Sequence, residues 1–179
     1  AKGSGMIYPN MATMLAFLFT DFAIDKTTLS IFTQKAVGQS FNRISVDGDT
    51  STSDTVYVGT TNKIPLKITE AQKAKALKAF YAELKKAMID LAKKIVLDGE
   101  GAKKFIEITV INAKTATSAK KICFSIANSL LVKTAIAGED ANWGRLIMAI
   151  GKTKINLKIE NIKIYICLLY TSPSPRDGT

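Results

Sequence analysis

Apolar residues recur every three or four positions between Thr69 and Gly99, which is the pattern of a long amphipathic helix. Thr69 and Gln72 have the spacing of a capping box at its start, and the pair Asp98-Gly99 ends it. The apolar stripe consists of Leu77, Phe80, Leu84, Met88, Leu91 and Ile95. We therefore predict a helix that covers a core with this stripe.

Shorter patterns predict strands and further helices along the rest of the chain. Asp25 is placed to cap a helix over 26–40, and another helix follows Asn142 and stops at Gly151, a residue suited to a left-handed terminus. The inner face of the first of these helices consists of Leu29, Phe32, Ala36 and Val37. A further helix is predicted over 118–128. The predicted strands cover 13–20, 43–46, 55–59, 104–113, 131–137, 155–159 and 162–166. This alternation indicates an α/β architecture of layered sheets and helices.

Composition describes one globular domain in 179 residues, with 47% hydrophobic and 22% charged residues. The net charge is +10, but all of the 25 basic residues except Arg43, Arg145 and Arg176 are lysines. Nucleic-acid readers favour the planar fork of arginine, so nucleic acid is not an expected partner. No apolar run approaches the ~20 residues that span a bilayer, and no membrane partner is expected. The two cysteines lack metal-ligand or CxxC spacing, and we expect a cytoplasmic protein.

Thr13 is the candidate nucleophile, because it lies where a glycine- and proline-containing loop runs into an apolar strand. The chain contains no histidine, which excludes a Ser-His or Cys-His pair supplied by this chain. A local base remains if the Ala12–Thr13 bond is broken, since the freed α-amine titrates at about 7.7–8.0. The alternative is that Thr13 is only a β-branched residue suited to a strand.

Four segments resemble signatures of the ornithine acetyltransferases, the bifunctional glutamate N-acetyltransferases of arginine biosynthesis. They are KGSGMIYPNMATMLAF at 2–17, SFNRISVDGDTSTSDT at 40–55, DGEGAKK at 98–104 and GEDANWGR at 138–145. The last departs from the family at Ala141, where proline is usual. The resemblance covers residues 1–151 and implies a layered α+β sandwich of the kind shared with DmpA-like aminopeptidases.

The resemblance implies that the chain is cut between Ala12 and Thr13 and that Thr13 is then the catalytic nucleophile. Thr13 would carry the acetyl group from N2-acetylornithine to glutamate without a cofactor, and some members also accept acetyl-CoA. Lys2 and Glu100 match the substrate-binding lysine and glutamate of the family. A twelve-residue calcium loop that began at Asp47 would need glycine where Thr52 stands and glutamate where Val58 stands. We therefore expect residues 47–55 to form a scaffold loop, and we expect no metal.

The resemblance also implies a division of the chain. Residues 1–12 would end the α chain, residues 13–166 would form the catalytic β-chain domain, and residues 167–179 have the composition of a non-native or disordered tail. The two chains are expected to form an α2β2 heterotetramer. The family's oxyanion hole is a Thr-Gly pair of the upstream chain, so this piece alone is expected to be inactive.

Two alternatives remain at this point. One is a related self-processing aminopeptidase, which also uses an N-terminal nucleophile. The other is a basic binding domain without catalytic activity. Within the fourth motif, Trp143 is expected to be a packing residue and not a catalytic one. Arg145 is expected either to pair with a nearby acid or to help line the pocket.

Overall fold

A computed structural model describes residues 14–50, 53–64 and 69–166 of the chain. The chain forms two compact units, residues 1–109 and residues 110–179. The first unit contains β1 (Leu15–Phe22), α1 (Lys26–Gln39), a 3₁₀ turn (Phe41–Arg43), β2 (Thr55–Ile64) and α2 (Glu70–Leu97). The second contains α3 (Ala116–Ala127), α4 (Leu130–Ala137), α5 (Trp143–Gly151) and a 3₁₀ turn (Ile159–Asn161).

Strands β1 and β2 are parallel neighbours, and α1 lies between them in the chain. Leu15 pairs with Thr55 and Phe19 with Gly59, and the register shifts by a bulge between Thr20 and Phe22. Both strands were predicted, although β2 extends five residues beyond the predicted end at Gly59. Parallel strands need a crossover, and α1 supplies it.

One face of this sheet packs on helices α1 and α2. Ala16 is fully buried, and Leu18, Val56 and Val58 pack against the same core. The predicted inner face of α1 is confirmed, because Leu29 and Ala36 are buried and Phe32 and Val37 are half-buried. At the N-terminus of α1 the Asp25 carboxylate accepts a hydrogen bond from the Thr28 N–H at 2.8 Å, which lowers the pKa of Asp25.

Among the described residues, the long helix α2 supplies four of the eight buried residues of the core cluster in the first unit. Its capping box is present, since Thr69 accepts from the Gln72 N–H and the Gln72 side chain accepts from the Thr69 N–H at 2.9 Å. The predicted stripe faces inward: Leu84, Met88 and Ile95 are buried. Phe22 stacks on Phe80 with ring centroids 4.7 Å apart. In the described ranges, no helix combines the length and apolar character that crossing a membrane requires.

In the second unit, helices α3, α4 and α5 pack on one another. Ser129 caps α4, and Thr115 caps α3 by accepting from the Ser118 N–H at 3.0 Å. Ser125 of α3 donates its hydroxyl to the Ala149 carbonyl of α5 at 2.5 Å. The predicted helices at 118–128 and after Asn142 are therefore confirmed.

The strand predicted over 131–137 is wrong, because this segment is helix α4. A short run of apolar and β-branched residues has no period that separates a strand from a buried helix. Ser129 decides for the helix by accepting from the Val132 N–H, and the buried residues Val132 and Ala135 lie three positions apart. The signal for the helix was the serine cap rather than the apolar run.

The structure also assigns no strand to 104–113 or to 43–46. Phe105 and Ile106 are each 40% exposed and Ile111 is 75% exposed, although their spacing alternates as in a strand. Alternation fixes which side chains share a face, whereas a strand also needs a neighbouring strand at the right distance. Residues 41–43 form a 3₁₀ turn that leads into the loop of the second motif.

The two strands predicted near the C-terminus are likewise not assigned. Residues 155–158 and 162–166 carry no strand assignment, and a 3₁₀ turn over Ile159–Asn161 lies between them. The expected left-handed glycine is also displaced: Gly151 is the last residue of α5, and Lys154 has the positive φ of 54°. The predicted tail, 167–179, lies outside the described residues.

Met88 provides a test of this core, because it is the largest side chain that is fully buried among the described residues. Met88→Ala should lower the free energy of unfolding by about 2–5 kcal/mol, since it removes buried volume from the centre of the core. Met88→Leu conserves volume and should cost less than about 1.5 kcal/mol. Equilibrium denaturation of the two variants measures the difference. Equal stability of both would contradict the packing described for α2.

Candidate functional site

The candidate site begins at Met14, the residue that follows the predicted nucleophile. Thr13, Ala12 and Lys2 lie outside the described residues. Met14 is 6% exposed, and its side chain belongs to the core that Met88 and Ile95 build from α2. Its side chain therefore anchors the chain at the point where the predicted cleavage site ends.

Both backbone polar groups of Met14 are held by the residues at the start of β2. The Met14 N–H donates to Oδ1 of Asp54 at 2.5 Å. The Met14 carbonyl accepts from the Thr55 N–H at 2.8 Å. Together with the buried side chain, these two bonds fix residue 14 on three sides.

Asp54 is half-buried, and burial raises the pKa of its carboxyl group, while the bond from the Met14 N–H opposes that rise. The folded state then binds the proton of Asp54 more tightly than the unfolded chain does. The stability that this group contributes is present at low pH and is lost as the pH rises through the pKa of the folded state.

Short polar groups shape the first part of the loop that leads to Asp54. Oδ1 of Asp47 accepts from the Asp49 N–H at 3.0 Å, and Gly48 adopts a positive φ of 86°. At the start of the loop, Val46 packs against the core. In the part of the chain that the structure describes, no group of three or more acidic, cysteine or histidine residues could hold a metal ion.

Glu100 lies on a glycine-flanked turn directly after α2, and it is exposed. Gly99 is buried, and a Cβ atom there would lie 2.9 Å from Cγ1 of Val46. Gly101 has a φ of +69°, in the left-handed region that favours glycine. The turn that carries Glu100 is therefore fixed by one close contact and one special backbone conformation.

The first three motifs meet around one core in the first unit. Met14 follows the predicted nucleophile, Val46 precedes the scaffold loop, and Ile95 lies in the last turn before Glu100. In the sequence these three motifs lie on separate predicted elements. In the structure Met14, Val46 and Ile95 all contact the core cluster of the first unit.

The fourth motif lies in the second unit, at the start of α5. Asn142 caps this helix by accepting from the Arg145 N–H at 3.2 Å. Nη1 of Arg145 donates to the Leu131 carbonyl at 2.8 Å and to the Thr134 hydroxyl at 3.0 Å, so these hydrogen bonds tie α5 to α4 rather than pairing with an acid. Trp143 is 68% exposed, so the expectation that it packs is wrong for this unit.

Asp54 is a residue of this site that no sequence pattern singles out. In the sequence it is one acid of a polar loop, because nothing there shows which residue β2 places beside Met14. A weak signal existed: Asp54 immediately precedes a predicted strand, and the ends of neighbouring strands are common places for functional side chains.

Comparisons with known proteins agree with the motifs. The model of the ArgJ family matches residues 1–176. The chain is similar to the arginine biosynthesis bifunctional protein ArgJ of Bradyrhizobium diazoefficiens, with 47% identity over 92% of this chain and 42% of the relative. The protein of the same name from Brucella suis is 52% identical over 85% of this chain and 38% of the relative.

Among solved structures, the crystal structure of the arginine biosynthesis bifunctional protein ArgJ from Bacillus halodurans superimposes with a TM-score of 0.75. It is 43% identical, and the match covers 82% of this chain and 68% of that one, which confirms the predicted α/β fold. The chain spans about two fifths of the length of the curated relatives it matches. Because the family model covers nearly the whole sequence and the relatives share about half of its residues, the chain belongs to the ArgJ family.

Proposed function

We propose that this chain is the part of an acetyltransferase that carries the nucleophile, and that the enzyme moves an acetyl group from N2-acetylornithine to glutamate. The observation that carries the proposal is the match of residues 1–176 to the ArgJ family, because it includes Thr13 and the segment around it. The fixed position of Met14 supports it, since a nucleophile needs a rigid attachment.

The chemistry requires two stages. In the first, the Thr13 hydroxyl attacks the Ala12 carbonyl, and the Ala12–Thr13 C–N bond breaks, which frees the Thr13 α-amine and leaves Ala12 as an ester on the hydroxyl. Water then hydrolyses this ester, which releases the Ala12 carboxylate and restores the Thr13 hydroxyl. In the second, this amine takes the hydroxyl proton while the hydroxyl attacks the acetyl carbonyl of N2-acetylornithine, and the proton leaves with ornithine. The amine of glutamate then attacks the acetyl-threonine ester and regenerates Thr13.

Substrate binding is proposed for Glu100 and Lys2. Glu100 is an exposed carboxylate on a fixed turn, which suits it to hold the ammonium group of an amino-acid substrate. Lys2 would pair with a substrate carboxylate. Acetyl-CoA would be an additional acetyl donor, and the transfer itself needs no cofactor.

A partner chain is proposed for the second face of the sheet. Leu15, Phe17, Phe19 and Tyr57 lie on this face and are 40%, 56%, 72% and 52% exposed. Parallel strands are usually covered on both faces, and two strands alone are marginal. We propose that the α chain covers this face within an α2β2 assembly, that it supplies the oxyanion hole, and that the enzyme is cytoplasmic.

The intact mass of the protein, expressed with the upstream region that its relatives carry, tests the nucleophile. Two polypeptides are expected, the second beginning at Thr13. Thr13→Ala should remain a single polypeptide, because it lacks the hydroxyl, whereas Thr13→Ser keeps one and should still be cut. An uncut protein that folds normally would contradict the proposed function.

Gly99→Ala tests the role of the Glu100 turn. A methyl group at this position meets Val46 at 2.9 Å, so the turn must shift, and we expect KM for acetylornithine to rise about tenfold. Glu100→Gln should raise KM in the same direction without a steric change. Gly38→Ala is the matched control, because no atom lies within 4 Å of its Cβ position in α1. An unchanged KM in both Glu100→Gln and Gly99→Ala would exclude Glu100 from substrate binding.

Phe19→Ser tests the covered face. Since Phe19 is 72% exposed in this chain, the substitution should leave the unit folded and weaken its association with the α chain by about tenfold or more. Ile31→Ser, at a 45% exposed position on α1, is the control. Size-exclusion chromatography of the processed protein measures association, and equal co-elution of both variants would argue against an interface on this face.

A further inference from the structure

We propose that Asp54 is a positioning residue for Thr13 and that its carboxylate holds the Thr13–Met14 peptide bond during chain cleavage and acetyl transfer. The inference rests on the proposed function of Thr13. It assigns to Asp54 a role in the reaction that does not follow from the motifs alone.

The geometry places the carboxylate on the nitrogen of that peptide bond. Oδ1 of Asp54 accepts from the Met14 N–H, and the next residue, Thr55, donates to the Met14 carbonyl. These two bonds hold Met14, which is the first described residue after the proposed nucleophile. Because a peptide bond is planar, a fixed Met14 N–H is the means by which Asp54 would position Thr13.

The burial of Asp54 distinguishes it from other aspartates of the first unit. Asp54 is half-buried, and burial raises the pKa of its carboxyl group, while the hydrogen bond from the Met14 N–H opposes that rise. A perturbed carboxyl next to a proposed nucleophile is a candidate for a functional role. Asp25 and Asp21 also accept hydrogen bonds, but both are exposed.

The positioning of Thr13 by Asp54 would affect both chain cleavage and acetyl transfer. In cleavage, the Thr13 hydroxyl must meet the carbonyl of the preceding residue, and in transfer it must meet an acetyl carbonyl in the same place. Reaction rates respond strongly to such placement, and a displacement of about 1 Å costs on the order of 100-fold. Asp54 forms no bond to the reacting atoms in this account; it acts through Met14.

The experiment compares Asp54→Asn and Asp54→Ala in the protein expressed with its upstream region. Asparagine keeps an oxygen that can accept from the Met14 N–H, whereas alanine removes it. We expect Asp54→Ala to slow cleavage, and to lower kcat of the cleaved fraction, by about 10- to 100-fold, with little change in KM. Asp54→Asn should be cut and turn over at most of the rate of the unsubstituted protein.

Asp21→Ala is the matched control. Asp21 lies on β1, and Oδ1 of its carboxylate accepts from the Thr61 hydroxyl of β2 at 2.6 Å, away from Met14. Its removal should leave cleavage and kcat unchanged. Equilibrium denaturation completes the test: Asp54→Asn should be about as stable as the unsubstituted protein near pH 7, because it keeps an oxygen that accepts from the Met14 N–H and removes only the charge of a half-buried group.

Three results would overturn the inference while leaving the proposed function intact. One is an Asp54→Ala variant that is cut and turns over at the unsubstituted rate. Another is an Asp54→Asn variant as slow as Asp54→Ala, which would show that charge and not the hydrogen bond matters. The third is that both Asp54 variants lose the same free energy of unfolding, and that the unfolded fraction this produces is large enough to explain their lower rates. Failure of the unsubstituted protein to be cut would instead contradict the proposed function and the inference with it.

Discussion

The attachment of Met14 to the start of β2 is the interaction on which the rest of the first unit depends. With the Met14 carbonyl bonded to Thr55 and its N–H bonded to Asp54, the register of the two parallel strands is set at their first residues. A slip by one residue would turn Ala16 out of the core and Phe17 into it. The same attachment that sets the sheet also fixes Met14, the residue that follows the proposed nucleophile.

This coupling explains why the motifs are far apart in sequence and close in the fold. The core cluster contains Met14 and Ile95, and Val46 packs against it. Gly99 then fits against Val46 with no room for a side chain. Rigid packing of this kind transmits position, because an interior at crystal-like density cannot deform continuously. Met14, which follows the proposed nucleophile, and the Glu100 turn are thereby supported by the same core.

The sequence predicted elements well where a local signal specified them. Caps at Asp25 and Thr69 and the stripe of α2 placed three boundaries to within one residue or two. The failures had two causes. Residues 104–113 have the alternation of a strand, but alternation does not supply a neighbouring strand. The apolar run of α4 has no decisive period, and the local signal that decides for a helix is the cap at Ser129. The family signatures identified Glu100, Lys2 and Thr13 as candidates, and none of these assignments could come from periodicity.

Asp54 shows most clearly which contacts the sequence patterns do not predict. In the sequence it is one of several acids in a polar loop, and only the pairing of β1 with β2 places it on the Met14 N–H, 40 residues away. Burial raises the pKa of its carboxyl group, and the hydrogen bond from the Met14 N–H opposes that rise. The same hydrogen bond therefore serves two purposes in our proposal, because it sets the start of the sheet and it holds Met14, the residue that follows the proposed nucleophile.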